Sequence, residues 1–150
     1  MLYGRHASPF VRRVAVTLRL YGIRYRHVPL MPFGPDKTAL AAFNPIARVP
    51  VLQLGDEMLI DSAVILDHLD HVAGPHSLTP AAGAPRRRVL TLLAVALGAN
   101  EKLVAGLYER HFRPREAGTS RGWMPATSRC VTAFNGSTRN SPGRGSRDPP

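Results

Sequence analysis

From Arg113 to its end the chain contains neither leucine nor isoleucine, and that break decides where a fold can be built. Of those 38 residues, 26 are Arg, Gly, Pro, Ser or Thr. Such a composition buries too little apolar surface to offset the entropy of ordering it. Trp123, Met124, Val131 and Phe134 follow neither the helical nor the strand period. We therefore expect residues 113–150 to be a disordered basic tail and every folded element to lie before them. The same segment holds 7 basic and 2 acidic residues, half of the formal net charge of +10. A strongly basic chain nominates nucleic acid, but a charge gathered in a tail weakens that inference, and nucleic acid is not the expected partner. Only 2 of the 20 basic residues are Lys. With so abrupt a change of composition, the end of the chain reads as truncated or out of frame from about Arg115–Gly118.

A single cysteine, Cys130, excludes a disulfide framework and a multi-cysteine zinc site, which favours the reducing cytosol and a cytoplasmic location. The longest apolar stretch without a charge, 89–100, has 12 residues, short of the roughly 18–20 that a membrane span needs. The N-terminal MLYGRHASPF lacks the apolar core of a secretory signal. No membrane association is expected.

Within the first 112 residues the elements can be read in order. Met1–Gly4 is a short apolar run compatible with a buried parallel strand. Ser8-Pro9 offers an N-cap followed by proline in the first helical turn. Val11, Val14, Ala15, Leu18 and Tyr21 then recur at helical spacing, with Arg12, Arg13 and Arg19 assigned to solvent. Gly22 supplies the stop. Tyr25–Leu30 alternates as a second strand. Asp36 can cap a short helix ending near Phe43. Val51–Leu54 and Met58–Ile60 flank Gly55-Asp56 as a hairpin. Asp61-Ser62 opens a third helix with Val64, Ile65, Leu66, Leu69 and Val72 on its apolar face. After a Pro- and Gly-rich linker, one long helix is expected over Arg86–Phe112, with Gly98 costing about 1 kcal/mol within it. The order βαβ, α, ββα implies parallel strands joined by a right-handed crossover, with the hairpin added antiparallel. That is a thioredoxin-like α/β arrangement.

Three places carry chemistry. Ser8 stands where a helix start presents free N–H groups and partial positive charge, so its hydroxyl can donate to a thiolate; a serine there equally well just caps the helix. Pro50, at the entry of a strand, is tolerated because it donates no ladder bond. The preceding Val49 can offer its backbone to an extended peptide ligand. Asp61 and Ser62 can supply a counter-charge for an ammonium and donors for a carboxylate, or again merely cap a helix. His68 and His71 are one helical turn apart, but nothing nearby completes a metal site, and no metal is expected. Arg86–Arg88 reads as a solvated face.

Taken together, SPFVRRV (8–14), FNPIARVPVL (43–52) and DSAVILDHL (61–69) resemble the N-terminal, glutathione-binding domain of the glutathione S-transferase family. The resemblance covers about half the chain. It implies a thioredoxin-like domain over 1–75 and a linker over 76–85. Residues 86–112 would be the first helix of a truncated all-α domain, followed by the tail. It implies glutathione as co-substrate, Ser8 as the thiol-activating residue, and Phe10, Arg48, Val49, Pro50, Asp61 and Ser62 as the glutathione-binding set, with Pro50 following a cis bond. The family more often has Glu where Asp61 stands, and Asp is a methylene shorter. Lys37 and Arg48 are candidates for the glycine carboxylate of glutathione. The expected activity is transfer of glutathione to a soft electrophile, impaired if the helical domain is incomplete, with a homodimer as the expected assembly. The alternative is a non-catalytic thioredoxin-fold adaptor that binds protein partners.

Overall fold

In the computed structural model, which describes residues 1–113, the chain divides into two units, Met1–Ala81 and Ala82–Pro150. In the first, β1 (Leu2–Tyr3), α1 (Pro9–Leu20), β2 (His27–Val28), α2 (Asp36–Phe43), β3 (Val51–Leu54), β4 (Glu57–Ile60) and α3 (Ser62–Ala73) follow one another, then a short 3₁₀ turn, Gly74–His76. The sheet order is β2-β1-β3-β4. β1 pairs parallel with β2, and β3 pairs antiparallel with both β1 and β4. This is the thioredoxin-like arrangement expected from the sequence.

Strand alternation places successive side chains on opposite faces of the sheet, and the two cores follow from it. Leu2 and its cross-strand partner Leu52 join Val11, Val14, Ala15 and Leu18 of α1 and Ile65 and Leu69 of α3 in one buried cluster. Tyr3 and its partner Val51 join Leu40 of α2 in the second, flanked by Phe43, Met58 and Ile60. Val49 packs against both clusters, so the segment before β3 is fixed from two sides.

Several expectations are corrected. β2 occupies two residues rather than Tyr25–Leu30, because its partner β1 ends at Tyr3 and the Leu30 amide turns back onto the Val28 carbonyl at 2.9 Å. Asp36 does not cap α2: Pro35 holds the cap position, and the Asp36 carboxylate accepts from the Met31 amide at 3.0 Å. On α3 the stripe Ser62, Ile65, Leu69 is buried, while Val64 and Val72 are 52% and 58% exposed. Arg13 is half-buried rather than solvated.

In the second unit the described element is α4, Gly83–Phe112, 30 residues long and beginning three residues before the expected start. By length and composition α4 is apolar enough to cross a bilayer, contrary to the expectation drawn from the charge-free run. The adjacent Glu101 and Lys102 interrupt that run without removing the apolar character of the surrounding residues. The expected disordered tail lies outside the described residues.

Candidate functional site

The three sequence segments meet around the end of β1. Gly4, with φ +120°, is so enclosed that a Cβ would lie 2.6 Å from a Val11 methyl and 2.7 Å from the Val49 Cβ. The first turn of α1 and the loop before β3 are thus brought together over a residue that has no side chain. Only glycine combines that backbone angle with that closeness.

Ser8 caps α1. Its backbone is extended, Pro9 fills the first helical position, and Ser8 Oγ accepts from the Val11 amide at 3.4 Å. An accepting hydroxyl keeps its own proton to donate, so the cap and a hydrogen bond to an incoming anion are compatible. Phe10 lies half-buried in the same first turn.

The segment preceding β3 is organised by Asn44, which is buried at 1% exposure. Its Nδ2 donates to the Arg48 carbonyl at 2.9 Å, its Oδ1 accepts from the Ile46 amide at 3.1 Å, and its carbonyl accepts from the Ala47 amide at 2.8 Å. Ala47 sits at φ 48°. This frame delivers Val49, joined to Pro50 by a cis bond. Among the described residues neither the amide nor the carbonyl of Val49 enters a backbone hydrogen bond, whereas neighbouring β3 is laddered on both sides. Pro50 is buried and Arg48 exposed; Lys37 is exposed on α2.

Asp61 caps α3, accepting from the Ala63 amide at 2.7 Å, with its backbone at φ 72° and ψ 136°. That positive φ, uncommon for a residue other than glycine, turns the chain sharply between β4 and α3. Ser62 follows, buried at 3% exposure, and its Oγ accepts from Arg13 Nη1 at 3.3 Å. Burial lowers the pKa of Arg13, while the negative charge of Asp61 opposes that shift. The guanidinium thus stands between the start of α3 and the helix that Ser8 caps. Arg13 departs from the expectation, since helical spacing alone assigns all the arginines of α1 to solvent. The usable signal was its place on the helix, five residues after Ser8, where it adjoins the buried Val14.

The site therefore offers a helix N-terminus with a donor hydroxyl, a strand-like backbone edge, and an arginine beside an Asp-Ser helix start. Such a set on a four-stranded sheet of order β2-β1-β3-β4 defines a thioredoxin-like domain. Residues 2–77 match the family of the glutathione S-transferase N-terminal domain, and the chain belongs to the glutathione S-transferase family. It is 31% identical over 98 residues to the uncharacterized GST-like protein YibF of Escherichia coli K12, covering 65% of this chain and 48% of YibF. To Arabidopsis thaliana glutathione S-transferase U1 it is 42% identical over 71 residues, 46% of this chain and 31% of the relative. A glutathione transferase family member from Pseudomonas fluorescens Pf-5, solved with bound glutathione, aligns with a TM-score of 0.72 and 33% identity, covering 92% of this chain and 67% of that one. The chain spans about a third to a half of the length of these two curated relatives.

Proposed function

We propose that the first unit binds glutathione and holds its sulfur as a thiolate for attack on a soft electrophile. The observation that carries this is the pair formed by Ser8 at the cap of α1 and Arg13 bridging to Ser62. The similar Pseudomonas protein with bound glutathione supports it.

Each residue has a role in this reading. The Ser8 hydroxyl donates to the sulfur, and the N-terminus of α1 adds its partial positive charge; Phe10 flanks the sulfur from the same turn. Val49 pairs its backbone with the cysteinyl unit, and Pro50 shapes that edge. Arg13 and Ser62 receive the carboxylate of the γ-glutamyl head, and Asp61 receives its ammonium. Arg48 and Lys37 serve the glycine carboxylate. A charge-assisted hydrogen bond and the helix terminus together stabilise the thiolate by about 2–3 kcal/mol, roughly two pK units below an ordinary thiol at about 8.5. The thiolate then attacks the electrophile, the leaving group departs with its electron pair, and the thiol proton passes to solvent. Binding beside the nucleophile adds the advantage of proximity. The reading places the protein in the reducing cytosol, acting as a homodimer.

The test separates the cap from the chemistry. Ser8→Asp preserves helix capping but sets an anion against the thiolate. We expect Ser8→Asp to fold as stably as the parent yet to lose glutathione conjugation at pH 7. Ser8→Ala is expected to shift the midpoint of the pH–rate profile upward by about one unit, from loss of the donated hydrogen bond. An unchanged profile in Ser8→Ala overturns the assignment. Retention on immobilised glutathione without any turnover, by contrast, points to the adaptor reading.

A further inference from the structure

The loop between β1 and α1, residues 5–8, is held by three devices. The Arg12 guanidinium grips the His6 carbonyl with two N–H groups, from Nε at 3.1 Å and Nη2 at 3.0 Å. The Ser8 amide donates to the Arg5 carbonyl at 3.0 Å. Finally, the His6 ring lies flat on the ring of His27 of β2, with centroids 4.0 Å apart and planes 7° from parallel. His27 Nε2 stands 2.7 Å from the Gly4 carbonyl. A carbonyl can only accept, so that nitrogen carries the proton in either charge state. The stack therefore rests on a ring anchored to the root of the loop.

We propose that the His6–His27 stack is a pH-sensitive latch on this loop, closed while at most one of the two rings is charged and opened when both are. The first proton leaves an imidazolium on an imidazole face, which is a favourable pairing. The second sets two like charges about 4 Å apart, and they repel.

Of the charges around the loop, Arg12 acts in the same direction as His27, and the carboxylate of Asp36 is the one anion nearby on α2. Arg12 faces His6 from α1. Arg5, in the loop itself, leans on the Met31 sulfur at 3.7 Å. The carboxylate of Asp36 on α2 is engaged by the Met31 amide. Burial, His27 and Arg12 all lower the pKa of His6. Because the closed loop disfavours the charged ring, the latch is fully effective above about pH 6.5, the ordinary histidine value. It weakens as pH falls below that value. Its root cannot relax, since Gly4 is wedged against Val11 and Val49, so opening is confined to the exposed residues 5–7 and reaches Ser8 next. The effect on glutathione rests on the function proposed above; the latch itself does not.

NMR titration of the full chain from pH 8 to 5 tests it, following both rings and the amides of residues 5–8. The expected result is a His6 titration displaced below the ordinary histidine value, with the amides of residues 5–8 shifting in step with it. Below that titration, protection of the Ser8 amide should fall by about tenfold, the equivalent of one pK unit of differential proton binding. His6→Phe keeps a flat ring on His27 but cannot charge, so its Ser8 amide should stay protected at pH 5. A His6 titration at or above the ordinary histidine value overturns the latch, as does an equal loss of protection in His6→Phe. Retention on immobilised glutathione is measured alongside. Failure to bind at pH 7.5 counts against the binding reading and leaves the NMR result to decide the latch. Equal loss of retention at pH 5 in parent and His6→Phe counts against any action of the latch on glutathione, and the NMR result still decides the latch itself.

Discussion

Gly4 and Arg13 bear the tightest constraints on the site, for opposite reasons. Gly4 is needed for what it lacks. Alanine there must adopt φ +120° and push its Cβ to within 2.7 Å of Val11 and Val49. Backbone strain of about 1–3 kcal/mol and overpacking of similar size act together. Gly4→Ala is expected to lower the urea midpoint by the equivalent of about 2–5 kcal/mol, with the slope unchanged. In the proposed site Arg13 contributes a charge that the fold itself does not favour, since burial works against it. Arg13→Met keeps the aliphatic stem and removes a partly desolvated cation, a change that is often neutral for stability. The expected outcome is a stability loss of about 1 kcal/mol, from the donor that buried Ser62 loses, beside a loss of glutathione affinity of about tenfold or more, corresponding to one lost charged hydrogen bond. Isothermal titration calorimetry beside thermal unfolding checks both halves.

At the scale of elements, the loop between α2 and β3 is worth more than its length suggests. Asn44 supplies two side-chain hydrogen bonds from a buried position, and these fix the approach to Val49. Asn44→Ala removes both and leaves backbone groups of Ile46 and Arg48 without those partners. A cost of about 2–3 kcal/mol is expected, together with weaker retention on immobilised glutathione, measurable by chemical denaturation and affinity elution. The start of α1 was legible because Ser8-Pro9 is a local signal, and so were the Gly55 turn and the opening of α3 at Asp61-Ser62. Their causes lie within four residues of one another. The extent of β2 was not legible, because it is set by where β1 ends, 24 residues away from His27 by pairing with Tyr3's neighbour Leu2 and the break at Gly4. The role of Asn44 was not legible, because its partners Ile46 and Arg48 are defined only once the loop has folded around it. Arg13 was misplaced because a helical period counts faces without knowing that another helix start, Ser62, lies against one of them.

For the molecule as a whole, the division into two units separates charge from chemistry. Residues 1–81 hold 8 basic and 6 acidic side chains, so the first unit is nearly neutral and most of the chain's +10 belongs to the second. In the proposed function, attraction of glutathione, an anion at pH 7, then comes from local groups such as Arg13 and the start of α1 rather than from a global field. Such short-range contacts are screened less by salt than exposed charges are. The first unit also owns both buried clusters, and the Tyr21 hydroxyl ties its two long helices and its exit together. That hydroxyl bonds Asp70 of α3 and accepts from the Leu78 amide at 2.7 Å. Burial, then the bond to Asp70, raises its pKa, so it stays protonated through neutral pH. A fragment of residues 1–81 is therefore expected to unfold in urea as one cooperative transition, with a stability of about 4–12 kcal/mol from its size. Its affinity for glutathione should lie within about twofold of the full chain's, because every residue assigned to that ligand precedes Ala81. Tyr21→Phe in the same fragment should lose about 1–2 kcal/mol without changing that affinity. A fragment that melts without a cooperative transition shows that α4 is required for the first unit to fold. A cooperative fragment with much weaker binding shows instead that residues after Ala81 contribute to the site.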